Sequence, residues 1–361
     1  MTDLLAPLQS LKAGNWFKLI CGASYQHLPA VRSLTLAYTL AGADCIDVAA
    51  DPAVIAAAQE GLQVAKSLVK DAQLRGYSYQ GNVPFLMVSL NDGEDPHFRK
   101  AEFNSSDCPP DCPRPCETIC PAQAIVFKSI SEFSGVEAQK CYGCGRCLPI
   151  CPYDKIYTKS YISSGTAIAP LVISQVVDAL EIHTKVGNLA EFRQLWQTIA
   201  PWADQLQLVA ISCPDGEGII NYLREITEII TPLSGALIWQ TDGRPMSGDI
   251  GDGTTLATVK LGQKVLTANL PGYVQLAGGT NSYTVAKLKA MGLLKSLNSA
   301  HVSGIAYGSY ARVLLSPVLE QLENQEVSQT SVKAKLRLEE EPELLWRAVK
   351  LAHSLVSQIK S

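Results

Sequence analysis

An α/β fold, and within it a (β/α)8 barrel interrupted by a cysteine-rich α+β module and followed by a C-terminal helix, is what three features of this 361-residue chain predict. Buried-strand and helix signals alternate about eight times with no hairpin signal between them, which argues for a parallel sheet. The alternation breaks once, after the third strand, where eight of the eleven cysteines fall between Cys108 and Cys151. The last two strands run into glycine turns, Gly278-Gly279-Thr280 and Gly308-Ser309-Tyr310, where many barrels build a phosphate cradle. An open, doubly wound sheet with a separate half is the alternative.

In order, the stretch from Phe17 reads as a buried strand ending at Gly22, and Leu28 to Leu40 as a helix with Pro29 in its first turn. A strand begins at Cys45. Asp51 and Pro52 then supply N-cap and first position for a helix running towards Leu74. Pro84 to Leu90 is the third strand, and residues 1–91 form the first part of the barrel. Residues 92–162 are the inserted module, and 163–325 the rest of the barrel. There, strands near Ala179–His183, Leu206–Ser212, Gly235–Gln240, Tyr273–Ala277 and Val302–Tyr307 alternate with helices. Those helices are expected over Ala167–Val177, Leu189–Trp202, Ile219–Ile230, Thr254–Leu266, Tyr283–Leu293 and Ala311–Leu322. Residues 326–361 are a polar linker and a last helix. In it Leu345, Ala348, Ala352, Leu355 and Ile359 share a face that packs on the barrel, covers one end or receives a partner.

Composition narrows the function classes. A net charge of −4 gives no nucleic-acid footprint. Apolar runs such as Ala167 to Ile173 are short and broken by Pro170, so no membrane span is expected. The first residues have neither a basic nor an apolar leader region, and a reducing cytoplasm is the expected location. Cys21, Cys45 and Cys213 sit in apolar surroundings and read as core.

The module carries the chemistry. Cys141-x2-Cys144-x2-Cys147-x3-Cys151-Pro152 is the bacterial ferredoxin spacing. Cys108, Cys112, Cys116 and Cys120-Pro121 precede it with spacings of three, a departure from that pattern. Structural zinc would leave the triple run and both Cys-Pro ends unexplained, and disulfides suit neither the compartment nor the spacing. The two runs together resemble a two-cluster ferredoxin module. The crossed ligation of that family implies one 4Fe-4S cluster on Cys141, Cys144, Cys147 and Cys120. A second takes Cys108, Cys112, Cys116 and Cys151, as a 4Fe-4S or, given its wider spacing, a 3Fe-4S form. Pro109, Pro110, Pro113 and Pro115 cannot donate N–H···S bonds, so the second cluster is expected at the lower potential. Lys140, Arg146 and Lys155 are expected beside the first cluster, raising its potential.

On the barrel, Gly278, Gly279, Gly308 and Ser309 are candidates for gripping phosphate or FMN, although short turns also need glycine for positive φ. The loop from Thr241 to Gly253 either clamps a ligand through Arg244 or is solvated. His183 ends a strand, reads as a wall residue, and has no obvious partner nearby in sequence. No P-loop, HExxH or nucleophile-elbow motif is present.

Residues 14–24, 43–52 and the whole C-terminal region resemble the cyanobacterial light-dependent-period (LdpA) family over essentially the full chain. That resemblance implies an iron–sulfur input component of the circadian clock, with Kai clock proteins and clock-associated histidine kinases as partners. The residues themselves imply a redox sensor or electron carrier rather than a classical enzyme. A flavin- or substrate-binding oxidoreductase wired by the clusters is the alternative, and clusters that merely hold a docking module in shape are the third reading.

Overall fold

The computed structural model describes residues 6–21, 28–77, 79–93, 99–120, 122–127, 134–138, 140–141, 143, 145–160, 165–174, 176–244, 251, 253–295, 300–328 and 337–360. The first part of the barrel comprises α1 (Ala6–Ala13), β1 (Trp16–Ile20), α2 (Leu28–Leu40), β2 (Cys45–Ala49), α3 (Pro52–Ser67), α4 (Val69–Leu74) and β3 (Phe85–Asn91). Asp51 caps α3 by accepting the Ala53 N–H at 3.0 Å, with Pro52 in the first turn. The single helix expected to reach Leu74 is two. Ser67 Oγ takes the Val64 carbonyl at 2.7 Å, and Leu68 leaves helical geometry.

The inserted module follows: β4 (Arg99–Glu102), α5 (Pro115–Ile119), β5 (Ile125–Val126), β6 (Gly135–Val136), α6 (Cys147–Ile150) and β7 (Tyr157–Ser160). The strands pair as two antiparallel ribbons, β4 with β7 and β5 with β6. Ala101, Phe103, Ala124, Ile125 and Ile156 form a small core of their own with the cysteines.

The second part runs α7 (Gly165–Ile173), β8 (Ala179–His183), α8 (Leu189–Ile199), β9 (Leu208–Pro214), α9 (Ile219–Ile230), β10 (Ala236–Asp242) and α10 (Thr255–Thr267). It continues through β11 (Tyr273–Ala277), α11 (Thr284–Ala290), β12 (Gly304–Tyr307), α12 (Ser309–Ser328) and α13 (Pro342–Lys360). The helix expected to reach Trp202 stops at Ile199, because Pro201 has no N–H for an α-helical bond and the chain tightens to a 3-10 turn over Ala200–Gln205.

Eight parallel strands close into a barrel in the order β1, β2, β3, β8, β9, β10, β11, β12 and back to β1. β3 pairs directly with β8, Met87 opposite Ala179, so the module leaves and rejoins the barrel without breaking the sheet. Inside the barrel, the end nearest the strand N-termini is apolar: Trp16, Cys45, Phe85, Met87, Ala179, Leu208, Ala210 and Ile238, with Leu11 of α1 packed against them. Cys21, Cys45 and Cys213 are all buried thiols.

α13 lies along α2 and α12 on the outside of the barrel and buries Leu345, Ala348, Ala352, Leu355 and Ile359, with Leu344, Val349 and Val356 beside them. Its N-terminal approach is strapped down by Glu339, which takes both terminal nitrogens of Arg32 on α2, Nη1 at 2.8 Å. Glu60 of α3 joins that strap, 2.8 Å from Arg337 and 3.3 Å from Arg32. Among the described residues no helix is long and apolar enough to cross a membrane.

Candidate metal centre and barrel mouth

Both runs of the module use the same local device. In each, the last two cysteines bracket one short helix: Cys116 lies in α5 and Cys120 ends it, and Cys147 opens α6 and Cys151 ends it. The two terminal cysteines have nearly the same backbone, φ/ψ −72/108 at Cys120 and −71/112 at Cys151. Three residues later comes a left-handed residue, Gln123 or Asp154, each at φ 50. The next N–H then turns back onto the sulfur: Ala124 to Cys120 Sγ at 3.2 Å, Lys155 to Cys151 Sγ at 3.3 Å. Two residues before each helical cysteine the chain is left-handed again. Gly145 adopts it freely, whereas Arg114 does so at φ 53 with its guanidinium 4.4 Å over the Phe127 ring.

The sulfurs fall into two sets. Cys120, Cys141 and Cys147 line one small cavity together with Ala101, Ala122, Ala124, Ile125, Gly145 and Arg146. Cys108, Cys112, Cys116 and Cys151 are electrostatic neighbours. Burial raises the Cys108 thiol and the Cys112 and Cys151 sulfurs add to the rise. Burial also raises Cys116, against the N–H groups of Glu117 and Cys116 itself, with Cys151 and Cys108 contributing. Cys151 differs: burial opposes ionisation there, but the N–H groups of Lys155, Tyr153 and Ile156 outweigh it and lower its pKa. Cys108 and Cys116, kept protonated chiefly by burial and further by their neighbours, would release their protons on binding a cationic iron–sulfide group. Cys144 and Pro121 lie outside the described residues, and among those described no three His, Cys, Asp or Glu close to single-ion spacing.

Two expectations about electrostatics change. Lys155 was expected beside the Cys141 run, but its N–H sits on Cys151, next to Cys108 and Cys116. The donors withheld by the four prolines are supplied to that set by Glu117, Tyr153, Lys155 and Ile156, so the proline content no longer ranks the two potentials. Arg146 does line the Cys120 cavity, and Lys140 pairs with Glu137.

At the C-terminal mouth of the barrel, Gly278 and Gly279 have φ 63 and 90 and press against the loop after β10. A Cβ on Gly278 would strike Asp242 Oδ1, and the Gly278 carbonyl accepts from the Arg244 N–H at 3.1 Å. Thr254 and Thr258 donate to the carbonyls of Gly279 and Gly278. Close packing therefore accounts for glycine at both positions. Gly308 is more open, and Ser309, first residue of α12, accepts from Arg312 at 3.2 Å. Arg244 itself is exposed, and residues 245–250 and 252 of its loop lie outside the described residues.

The sequence reading missed a polar tier across the barrel above the apolar one. Lys18 on β1, 0 % exposed, donates to Glu181 on β8, to Gln240 Oε1 on β10 at 3.0 Å, and lies 3.0 Å from Asp47 Oδ2 on β2. Gln240 donates to Glu181 at 2.6 Å and to Ser212 at 3.0 Å, and Gln275 on β11 bridges Gln240 and Trp16. Ser89 donates to Asp47 Oδ1 at 2.6 Å. His183, 38 % exposed at the mouth, does have a neighbour in sequence: Glu181, two residues earlier on the same face of β8, with Nε2 3.1 Å from Oε1. The visible signal was one polar residue in the middle of an apolar strand at Lys18, Asp47 and Gln275, with Glu181 and Gln240 following apolar runs in strands that end in further polar residues.

A closed α/β barrel with a thiol-rich domain inserted between its third and fourth strands is the class these features define. Residues 171–358 match the description of the light dependent period A C-terminal domain, and residues 108–162 that of the LdpA iron–sulfur cluster-binding domain. The chain is also 50% identical over 354 residues to "Light dependent period A" of Synechococcus elongatus, covering 98% of this chain and 94% of that protein. It belongs to the light dependent period A family and carries that family's iron–sulfur cluster-binding domain. Among solved structures, a tryptophan synthase from M. tuberculosis aligns over 99% of each chain at 12% identity and a TM-score of 0.42. The tryptophan synthase alpha chain of Legionella pneumophila aligns over 98% of this chain and 95% of its own, again at 12% and 0.42.

Proposed function

We propose that the protein is an iron–sulfur redox sensor that relays the light-set redox state of the cell into the cyanobacterial circadian clock. Its partners by family resemblance are the Kai proteins and their histidine kinases. One cluster takes Cys120, Cys141, Cys144 and Cys147, the other Cys108, Cys112, Cys116 and Cys151. The observation that supports this most directly is the interleaving of the runs: Cys120 stands with Cys141 and Cys147, and Cys151 with Cys108, Cys112 and Cys116. Thiolates would hold the iron, and the clusters would supply one-electron exchange. The N–H groups of Ala124 and Lys155 aim at Cys120 and Cys151, where extra negative charge would collect on reduction.

Anaerobic purification with iron, sulfide and EPR analysis tests the reading. Cys147→Ser and Cys120→Ser are expected to abolish one signal, and Cys116→Ser and Cys151→Ser the other. A Cys151→Ser variant that loses the signal belonging to Cys147 would refute the crossed assignment, and colourless wild-type protein would refute the whole reading.

A second reading, an oxidoreductase using the clusters as a wire to FMN or a substrate, is favoured by the polar tier under the barrel mouth. A partly exposed His183 backed by a buried Glu181 is a competent proton acceptor or donor. A flavin absorbance in the purified protein, released on denaturation and reduced in His183→Ala by the same electron donor at a slower rate, would favour this reading.

A further inference from the structure

The module is fastened to the barrel by a buried charge. Lys100 on β4 is 4 % exposed, and its Nζ donates to Asp51 Oδ2 at 2.6 Å and to the Ala138 carbonyl at 2.5 Å. Asp51 is 0 % exposed, stands two residues past the end of β2, and uses its other oxygen to cap α3. Ala138 sits in the turn in which Glu137 accepts from the N–H of Lys140 and Cys141. Ala101, next to Lys100, lines the cavity of Cys120, Cys141 and Cys147. One ammonium thus touches the turn that presents Cys141 and the cap of a barrel helix.

On the reading of the module as a redox centre, we infer that Lys100 sets the potential of the Cys141 cluster and, through Asp51, couples its charge to helix α3. A buried cation held against the Ala138 carbonyl, behind the turn that presents Cys141, favours the reduced, more negative state of a cluster on that turn, because the interior screens charge poorly. Added negative charge on the cluster competes with Asp51 for the same ammonium, and Asp51 cannot yield Lys100 without loosening its hold on the first turn of α3. α3 also carries Glu60, which joins the Arg32–Glu339–Arg337 strap at the base of α13. Helix α3 therefore links two groups of ion pairs, Lys100–Asp51 at its N-terminus and the Glu60–Arg32–Glu339–Arg337 group at the base of the C-terminal helix. Lys100 acts as a positioning residue, not a ligand.

Holoprotein variants test this by redox titration monitored by EPR, with the two signals assigned from the cysteine variants. Lys100→Met is expected to shift the Cys141 cluster to lower potential, and Asp51→Asn to higher, each with a smaller shift at the other cluster. Lys100→Arg should stay near wild type. Asparagine remains a good helix cap, so Asp51→Asn carries the test even where Lys100→Met fails to assemble. Hydrogen exchange supplies the coupling readout: protection at the Ala53 amide should differ between oxidised and reduced wild type and cease to differ in Lys100→Met. Unmoved potentials, shifts of the same sign in both variants, or a redox-insensitive Ala53 amide would overturn the inference and leave the cluster assignment standing. A wild type without reducible clusters would instead remove the proposed function, and this inference with it.

Discussion

Asp242 ends β10 at the barrel mouth with Oδ1 buried, without a hydrogen-bond partner among the described residues, and pressed against Gly278. Burial pushes its pKa from 3.8 up to about 6, against the Arg244 N–H that favours the anion. A carboxylic acid whose folded value lies above its unfolded value costs stability once ionised. The cost is absent below the unfolded value near 3.8, grows as the pH rises, and is complete above about 6. Asp242→Asn is therefore expected to be more stable than the parent by about 1–3 kcal/mol at pH 7.5 and no more stable near pH 4, by denaturant unfolding at both pH values. Retention of the full difference at pH 4 would show that ionisation is not the cause. Lys18 shows the opposite situation, since each oxygen and proton around it is engaged. Its single positive charge, inside an apolar strand, was readable in the sequence as an anomaly. Its partners were not, because Glu181 and Gln240 lie 163 and 222 residues away along the chain.

Elements were legible where one physical rule governed them. The α13 face was plain from its 3.6-residue period, and the Asp51-Pro52 start of α3 from capping chemistry. The strap that seats α13 was not, since Arg32 and Glu339 are 307 residues apart. Arg32 lowers the pKa of Glu339, against the effect of burial. A depressed carboxylate contributes its full stability above the unfolded value and loses it as the pH falls through the lower folded value. Acid should accordingly loosen the root of α13 before the barrel opens. At neutral pH, Glu339→Gln is expected to reduce amide protection in the first turns of α13 by about 1–2 kcal/mol, as losing a charge-assisted bond does. Equal protection in parent and variant by hydrogen exchange would show that apolar packing alone seats the helix. In the cysteine module the spacing singled out candidate sulfurs, but the i to i+4 N–H bonds to Cys120 and Cys151 depend on left-handed turns at Gln123 and Asp154, neither a glycine.

For the whole molecule, the alternation of strands and helices gave a parallel sheet and the point of interruption, because a parallel strand buried on both faces has a distinctive apolar run, and the count of about eight units favoured a closed barrel over an open sheet. The polar residues were visible one strand at a time, but their assembly into a tier depends on the register between strands, which no single segment displays. The module has its own small core around the cysteines, whereas β3 pairs with β8 independently of it. Removing iron with a chelator under reducing conditions is expected to abolish the module's protection while the barrel keeps its far-UV circular dichroism and a separate thermal transition. Loss of both in a single transition would show that the two fold as one unit.

The insertion point also fixes an order in time. Ser160 has emerged from the ribosome about 7–30 s before Tyr307, the last residue of β12, at ordinary elongation rates. β1 cannot find β12 until that interval is over. All eight module cysteines are thus exposed early in synthesis, when the sheet beside them is still a three-stranded fragment with the outer edges of β1 and β3 both unpaired.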